Sequence, residues 1–147
     1  TAGAAALKQV SRRLTVLADA SHQRFFPHTY GFTRYQFGAE TRAGAAAVWR
    51  AAGRPGFRLD LVGELNGLHL ERDRERGAAG TLEALRASGG DVLYAGVGVR
   101  AAFGRLGLAA SVKRAALTAL NEGAEQQGSE GLEAFRATAA VTWSTGL

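Results

Sequence analysis

The segment LYAGVGVRAAFGRLGLAASVK, residues 93–113, decides how this chain is read. Taken alternately, it separates into two rows. Leu93, Ala95, Val97, Val99, Ala101 and Phe103 form an apolar row, and Tyr94, Gly96, Gly98, Arg100 and Ala102 form the other. After Gly104-Arg105 the alternation resumes, with Leu106, Leu108, Ala110 and Val112 against Gly107, Ala109, Ser111 and Lys113. A period of two is the signature of a strand. A helix is disfavoured, because each of the glycines 96, 98, 104 and 107 would cost about 1 kcal/mol relative to alanine. The segment therefore predicts a hairpin with a tight reversal at Gly104-Arg105.

The same texture runs outward in both directions. From Thr29 to Ala51 one parity carries Thr33, Tyr35, Phe37, Ala39, Ala43, Ala45, Ala47 and Trp49, and the other carries Arg34, Gln36, Gly38, Glu40, Arg42, Gly44 and Arg50. AAGRPG (51–56) is punctuated as a turn. In FRLDLVGELNGLHL (57–70), Phe57, Leu59, Leu61, Gly63 and Leu65 alternate with Arg58, Asp60, Val62, Glu64 and Asn66. The phase slips near Gly67, where Leu68 and Leu70 become the apolar pair, and a glycine at a phase slip predicts a bulge. Near the end Phe135, Ala137, Ala139, Val141 and Trp143 oppose Arg136, Thr138, Ala140, Thr142 and Ser144. Five strands are expected, at about 29–51, 56–72, 91–103, 106–118 and 132–145, with connections that alternate short and long. Residues 73–90 and 120–131 are the long polar ones, and TLEALRA (81–87) carries a short helical turn. Upstream, Leu7, Val10, Leu14 and Leu17 are spaced as on a helix, which favours a short helix over 4–18, while LTVLADAS (14–21) reads equally as a strand. Residues 1–28 are thus an N-terminal segment serving as helix, plug or tether, and 29–147 an antiparallel meander.

Length and composition bound the alternatives. A chain of 147 residues, 46% hydrophobic and 21% charged, is one ordered domain by its size. No apolar run reaches the roughly 18 residues of a spanning helix, so contact with a bilayer core would be made by strands. The net charge is +5, nearly all of it arginine, and there is no cysteine. Thiol chemistry and disulfides are thereby excluded.

In a water-soluble sandwich the apolar row faces a second sheet and the polar row faces water. Here the polar row is rich in glycine and alanine, where a solvated sheet face favours threonine, lysine and glutamate. The first two strands are also long, and short turns alternate with long loops, as in outer-membrane barrels. The expected fold is all-β, an antiparallel meander of outer-membrane barrel type. Five strands fall short of the eight at which such barrels begin. Either the missing strands lie in residues 1–28 and the loops, or the wall is completed by further strands of a longer protein, or several chains share the sheet as a homo-oligomer.

ASVKRAALTALNEGAEQQGSEGLEAFRATAAVTWS (110–144) resembles the C-terminal part of bacterial outer-membrane β-barrel proteins of the transporter-like kind, including channels of the phenol-degradation-pathway type. GGDVLYAGVGVRAAFGRLGLAASVK (89–113) is similar to the hairpin before it, and the likeness covers about residues 30–147. Such barrels usually finish on an aromatic residue, whereas this chain ends Thr145-Gly146-Leu147. The resemblance implies an outer-membrane channel or transporter and names no solute.

On this reading Arg34, Glu40, Arg42, Arg58, Asp60, Glu64, Arg100, Lys113 and Arg136 line a wet lumen. Tyr35, Phe37, Trp49, Leu59, Leu61, Val97, Val99, Phe103, Leu106, Leu108, Phe135, Val141 and Trp143 face lipid. The function expected is passive passage of small polar or anionic solutes, or a structural wall, with the lipid bilayer and its lipopolysaccharide as partners. The alternative is a soluble periplasmic all-β interaction module within a larger assembly.

No catalytic residue, metal ligand, cofactor or nucleic-acid partner is assigned. His22 and His28 in SHQRFFPH, and His69 beside Glu71, do not make the three or four converging ligands a metal needs. Asp60 and Glu64 share a row with Arg58 and read as cross-strand ion pairs. No serine sits in a G-x-S-x-G elbow. Gly96-Val97-Gly98 lacks the third glycine and following helix of a dinucleotide fingerprint. RDRER (72–76) alternates in sign and has no stacking platform for bases.

Overall fold

The computed structural model describes residues 1–77, 80–121 and 133–145. Among these residues every regular element is a β-strand. Strands β1 (Ala2–Gln9), β2 (Leu14–Gln23), β5 (Glu40–Arg54), β6 (Phe57–Leu70), β9 (Gly90–Phe103), β10 (Leu106–Leu120) and β11 (Phe135–Trp143) form a seven-stranded sheet in that order. All six pairings are antiparallel. A smaller four-stranded sheet joins β3 (His28–Tyr30), β4 (Thr33–Gln36), β7 (Arg74–Arg76) and β8 (Leu82–Ala84).

Sequence chemistry sets the turns at one end of the large sheet. In the link from β1 to β2, Ser11 Oγ accepts from the backbone N–H groups of Arg13 (3.2 Å) and Leu14 (3.1 Å), a hydroxyl-capped turn. Between β5 and β6, Pro55 presets φ and Gly56 adopts φ +75°, the requirements of a type II turn. Gly104 at φ +57° opens the β9–β10 reversal, as a two-residue hairpin with glycine first demands. The connections at the opposite end are long. They contain β3 and β4 after β2, and β7 and β8 after β6. The expected alternation of short and long connections is thus present, and it starts one hairpin earlier than the sequence suggested.

Several sequence expectations need correction. Residues 4–18 are not a helix but parts of β1 and β2, paired from Ala2↔His22 to Gln9↔Thr15. Leu7, Val10, Leu14 and Leu17 mimic helical spacing because a turn falls between them. The strand expected at 29–51 is broken: β4 ends at Gln36 and β5 begins at Glu40. Arg34, Tyr35 and Phe37 therefore do not belong to the large sheet. No bulge lies at Gly67, which pairs in register with Ala43 and Leu93. The register shifts instead between Arg50 and Ala52 and between Ala115 and Leu117. Residues 82–84, expected in a helical turn, form β8. The loop expected at 120–131 and the terminal Gly146-Leu147 lie almost wholly outside the described residues.

The large sheet is open. β1 pairs only with β2 and β11 only with β10, and every residue of these two edge strands is exposed. Buried residues are few: Ala39, Val92 and Asp60 are the buried non-glycine residues among those described. The small sheet is tied to the long-loop end through Asp73. Its carboxylate accepts from Tyr35 Oη (2.5 Å) and the Gly38 backbone N–H (2.7 Å), and its own N–H donates to Ser88 Oγ (2.8 Å). Asn121 Nδ2 donates to the Ser88 carbonyl at 3.2 Å.

Candidate functional site: the polar face of the sheet

Register assigns each strand residue to one of two faces. Trp49, Leu61, Val99, Ala110 and Ala139 lie in one cross-strand row, and Arg50, Asp60, Arg100, Ala109 and Ala140 in the next, on the opposite face. The apolar face carries Leu14, Val16, Trp49, Leu59, Leu61, Leu65, Leu93, Val97, Val99, Phe103, Leu106, Leu108, Val112, Phe135, Val141 and Trp143. The polar face carries Asp19, Glu40, Arg42, Arg50, Arg58, Asp60, Glu64, Arg100, Lys113 and Arg136.

The apolar face is the bare one. Val97 is 68% exposed, Val141 72% and Trp143 67%. Along β6 and β10 the apolar-face positions are mostly exposed and the polar-face positions mostly half-buried or buried. Among the described residues Val97, Val99, Leu106 and Leu108 meet no second layer: the strands of the small sheet contact only one another, and its links attach at the long-loop end.

The polar face is crowded. A Cβ at Gly96 would meet the Glu64 carboxylate at 2.7 Å, and one at Gly44 would meet Asp19 Oδ1 at 2.5 Å. A Cβ at Gly98 would lie 3.0 Å from that of Ser111, and Thr142 leans over Gly107. On the apolar face, a Cβ at Gly63 would meet nothing within 4 Å. Side chains converge on the inside of a curved sheet and diverge on its outside, and glycines at inner positions permit the curvature. The pattern is that of a sheet curling toward its polar face.

Asp60 organises the charges near the short-turn end. It is 5% exposed. Arg58 Nε lies 2.7 Å from its Oδ2 in an ion pair, while Arg50 Nε lies 3.7 Å from its Oδ1. Neither Oδ1 nor that Nε has a hydrogen-bond partner among the described residues. Arg100 stands directly across from Asp60 on β9. The bulge at Arg50/Ala52 reorients the β5 end of this row. Farther along, Glu64, Gly96, Lys113 and Arg136 share a row. Lys113 Nζ sits 5.1 Å from the Tyr94 ring centroid, and Arg136 Nε donates to Glu133 at 2.8 Å. Arg42 pairs with Glu40 on its own strand at 2.7 Å.

Of the residues expected to line a lumen, Glu40, Arg42, Arg58, Asp60, Glu64, Arg100, Lys113 and Arg136 thus share one face. Arg34 does not, because it lies in β4 of the small sheet. Tyr35 and Phe37, expected among the lipid-facing residues, sit at the long-loop end in an aromatic cluster with Phe25. Burial first, and the hydrogen bond to Asp73 second, push the Tyr35 phenol well above its ordinary pKa. Arg50, read in the polar row but left out of the expected lumen lining, and Asp19, left in the N-terminal segment, both lie on the polar face. Parity alone places them there, but their importance depends on register with Asp60 and Gly44.

The histidines lie apart from this cluster. His22 Nδ1 is 3.0 Å from Thr41 Oγ1, and His69 Nδ1 is 2.7 Å from Asp91 Oδ1. Both pairs sit on the apolar face at the long-loop end. Among the described residues no three histidine, aspartate or glutamate side chains come together as a metal site.

The fold and this face define an all-β antiparallel meander with a bare apolar side and a partly covered ionic side. Comparison with protein-family models, with curated proteins and with solved structures finds no match to the chain.

Proposed function

We propose that the chain is a wall of an outer-membrane-type β-barrel, with its polar face lining a water-filled passage for small polar or anionic solutes. The observation that carries this reading is the inverted exposure: Leu61 and Val97 are bare while Asp60 is covered. In water such a face is unfavourable. Seven strands about 4.8 Å apart and about 25 Å tall amount to roughly 800 Å² of largely apolar surface, and soluble monomers rarely expose contiguous apolar patches beyond a few hundred Å². In hydrocarbon it is the expected outer surface.

The dimensions support the reading. From Leu93 to Phe103 the apolar row spans ten residue steps, or about 33 Å at about 3.3 Å each, which a tilt of roughly 40° reduces to about 25 Å. That is the height of the apolar band of outer-membrane barrels. Phe57 and Phe103, with ring centroids 5.1 Å apart, and Trp143 lie at its short-turn edge, where interfacial aromatics belong. Lys8 and Arg114 are charged residues on the apolar face. Lys8 pairs with Val16 one residue before the end of β1, and Arg114 pairs with Phe135, the first residue of β11, so each long side chain lies near a strand's polar end.

Closure needs more strands. β1 and β11 run in the same direction, since six antiparallel reversals separate them. An antiparallel barrel therefore takes an odd number of additional strands, and a single one reaches the smallest size, eight. Partners on this reading are the bilayer with its lipopolysaccharide, together with those strands, and the location is the bacterial outer membrane.

The test is dispersion and insertion. The full chain is expected to need detergent, to float with phospholipid vesicles and to resist alkaline extraction from them. A chain that stays monodisperse without detergent and ignores vesicles sinks the proposal and favours a periplasmic module whose apolar face is covered by protein.

A further inference from the structure

We propose that Arg58 and Arg100, braced at Asp60, form a binding site on the polar face for a small oxyanion, a phosphate or carboxylate group carried by a free solute. The inference rests on the reading of the polar face as wet, and it names the solute class that face takes.

The geometry separates bracing from binding. Asp60 is covered, and the Nε of Arg58 is committed to it at 2.7 Å. The two terminal nitrogens of Arg58 make no side-chain hydrogen bond among the described residues, and its side chain is 51% exposed. Arg100, opposite Asp60, makes no ion pair among the described residues and is exposed. Arg50 also leans on the same carboxylate, at 3.7 Å. Two guanidinium groups thus flank one carboxylate, with Arg100 across from it on β9, so the three arginines outnumber the carboxylate by two charges.

Space exists where those charges point. Arg58, Asp60 and Arg100 border an open depression of about 400 Å³, whose other walls include Gly107, Ala109, Ala140 and Thr142. Small side chains there leave the guanidinium forks unobstructed. A fork of parallel N–H donors matches the oxygens of phosphate or carboxylate and stays charged at any physiological pH. The carboxylate of Asp60 holds Arg58 in place, which lowers the ordering cost of binding.

The experiment titrates detergent-dispersed full-length protein with inorganic phosphate by calorimetry, at low chloride. Saturable binding is expected. Arg100→Gln is expected to weaken it at least tenfold. Arg58→Lys keeps the charge, loses the fork, and is also expected to weaken it. Arg86→Gln, on the loop beyond β8, removes the same charge and is expected to change nothing. Far-UV circular dichroism checks that each variant keeps its strands. A second arm adds vesicles of phosphatidylglycerol or phosphatidylcholine, because a headgroup phosphate has the same chemistry. No saturable phosphate binding, binding unaffected by Arg100→Gln, or an Arg100-dependent preference for phosphatidylglycerol without binding of free phosphate would each overturn the proposal. The titration needs no bilayer, so failure to insert and failure to bind phosphate are separate results.

Discussion

Asp60 and Leu61 are consecutive on β6 and point to opposite faces, and it is the carboxylate that is covered, at 5% exposed, and the leucine that is bare, at 43%. In a water-soluble sheet this order is reversed, because leaving a leucine in water forfeits about 1.5–3 kcal/mol and an unpaired carboxylate is costly to bury. Asp60 tolerates its position because Arg58 and Arg50 neutralise it. On the proposed reading Leu61 meets hydrocarbon in place of water.

The two faces are predicted to respond oppositely to one added charge. Val99→Arg, on the apolar face, should cost about 2–4 kcal/mol of folding stability in phospholipid vesicles. Thr138→Arg, on the polar face of β11, should cost less than about 1 kcal/mol, as expected at a wet surface position. Urea titrations of refolding into vesicles measure both. Equal costs, or a larger cost for Thr138→Arg, contradict the assignment of faces.

Removing the Asp60 carboxylate leaves two arginines crowded on a covered site. Asp60→Ala should lower stability by about 1–3 kcal/mol, the lower part of that range being favoured because Arg50 and Arg58 are 41% and 51% exposed and therefore well screened. In the Arg58→Gln background the same change should cost less, since part of the pair is already gone. A double-mutant cycle with no coupling between the two positions would remove Asp60 from its organising role.

Three glycines should behave differently when replaced by alanine. At Gly63 nothing lies within 4 Å of the new Cβ, so Gly63→Ala should be neutral or stabilise by about 0.4–1 kcal/mol through the unfolded chain. At Gly96 the new atom meets the flexible Glu64 carboxylate, which can swing aside at a cost of about 1 kcal/mol or less. At Gly38 it collides with the Glu71 backbone carbonyl, and the backbone must move. Gly38→Ala should therefore be the most damaging, at about 1–3 kcal/mol, the usual cost of overpacking. Thermal or urea unfolding in detergent ranks the three, and a tolerated Gly38→Ala contradicts the close approach of these loops.

Tyr35 predicts a pH dependence confined to the loops. Burial and the bond to Asp73 raise its folded pKa above the unfolded value of 10. A raised pKa means that the unfolded state releases the proton first. The contribution of Tyr35 is therefore fully present below pH 10 and lost as pH rises beyond it. Phenolate absorbance near 295 nm should show one of the three tyrosines titrating later than the others, and Tyr35→Phe should abolish that late step. Late titration that survives in Tyr35→Phe would assign the step elsewhere.

Much of this was legible in the chain because a strand writes its two faces alternately. Leu93 to Val112 displayed both rows and the reversal between them, and Pro55-Gly56 marked its turn. The break at residues 37–39 was invisible, because alternation runs through Tyr35, Phe37 and Ala39 without a change of parity while the backbone leaves one sheet for another. Leu68 and Leu70 looked like a phase slip, yet they keep register and sit on the polar face. There they meet Val92 and Gly90 across the sheet, near the loops, where that face turns apolar. The row Arg50, Asp60, Arg100 could not be read at all. It joins three strands, and only register brings them side by side.

The most direct test of the central claim uses the absence of cysteine from the chain. Single cysteines placed in turn at positions 95 to 101 of β9 can be spin-labelled in vesicle-embedded protein, and the accessibility of each label to oxygen and to a water-soluble nickel complex measured. Labels at Ala95, Val97, Val99 and Ala101 are predicted to favour oxygen, and those at Gly96, Gly98 and Arg100 the nickel complex, with a period of two. Nickel accessibility at Val97 and Val99 equal to that at Gly98 and Arg100 would contradict a wall with hydrocarbon on one side and water on the other.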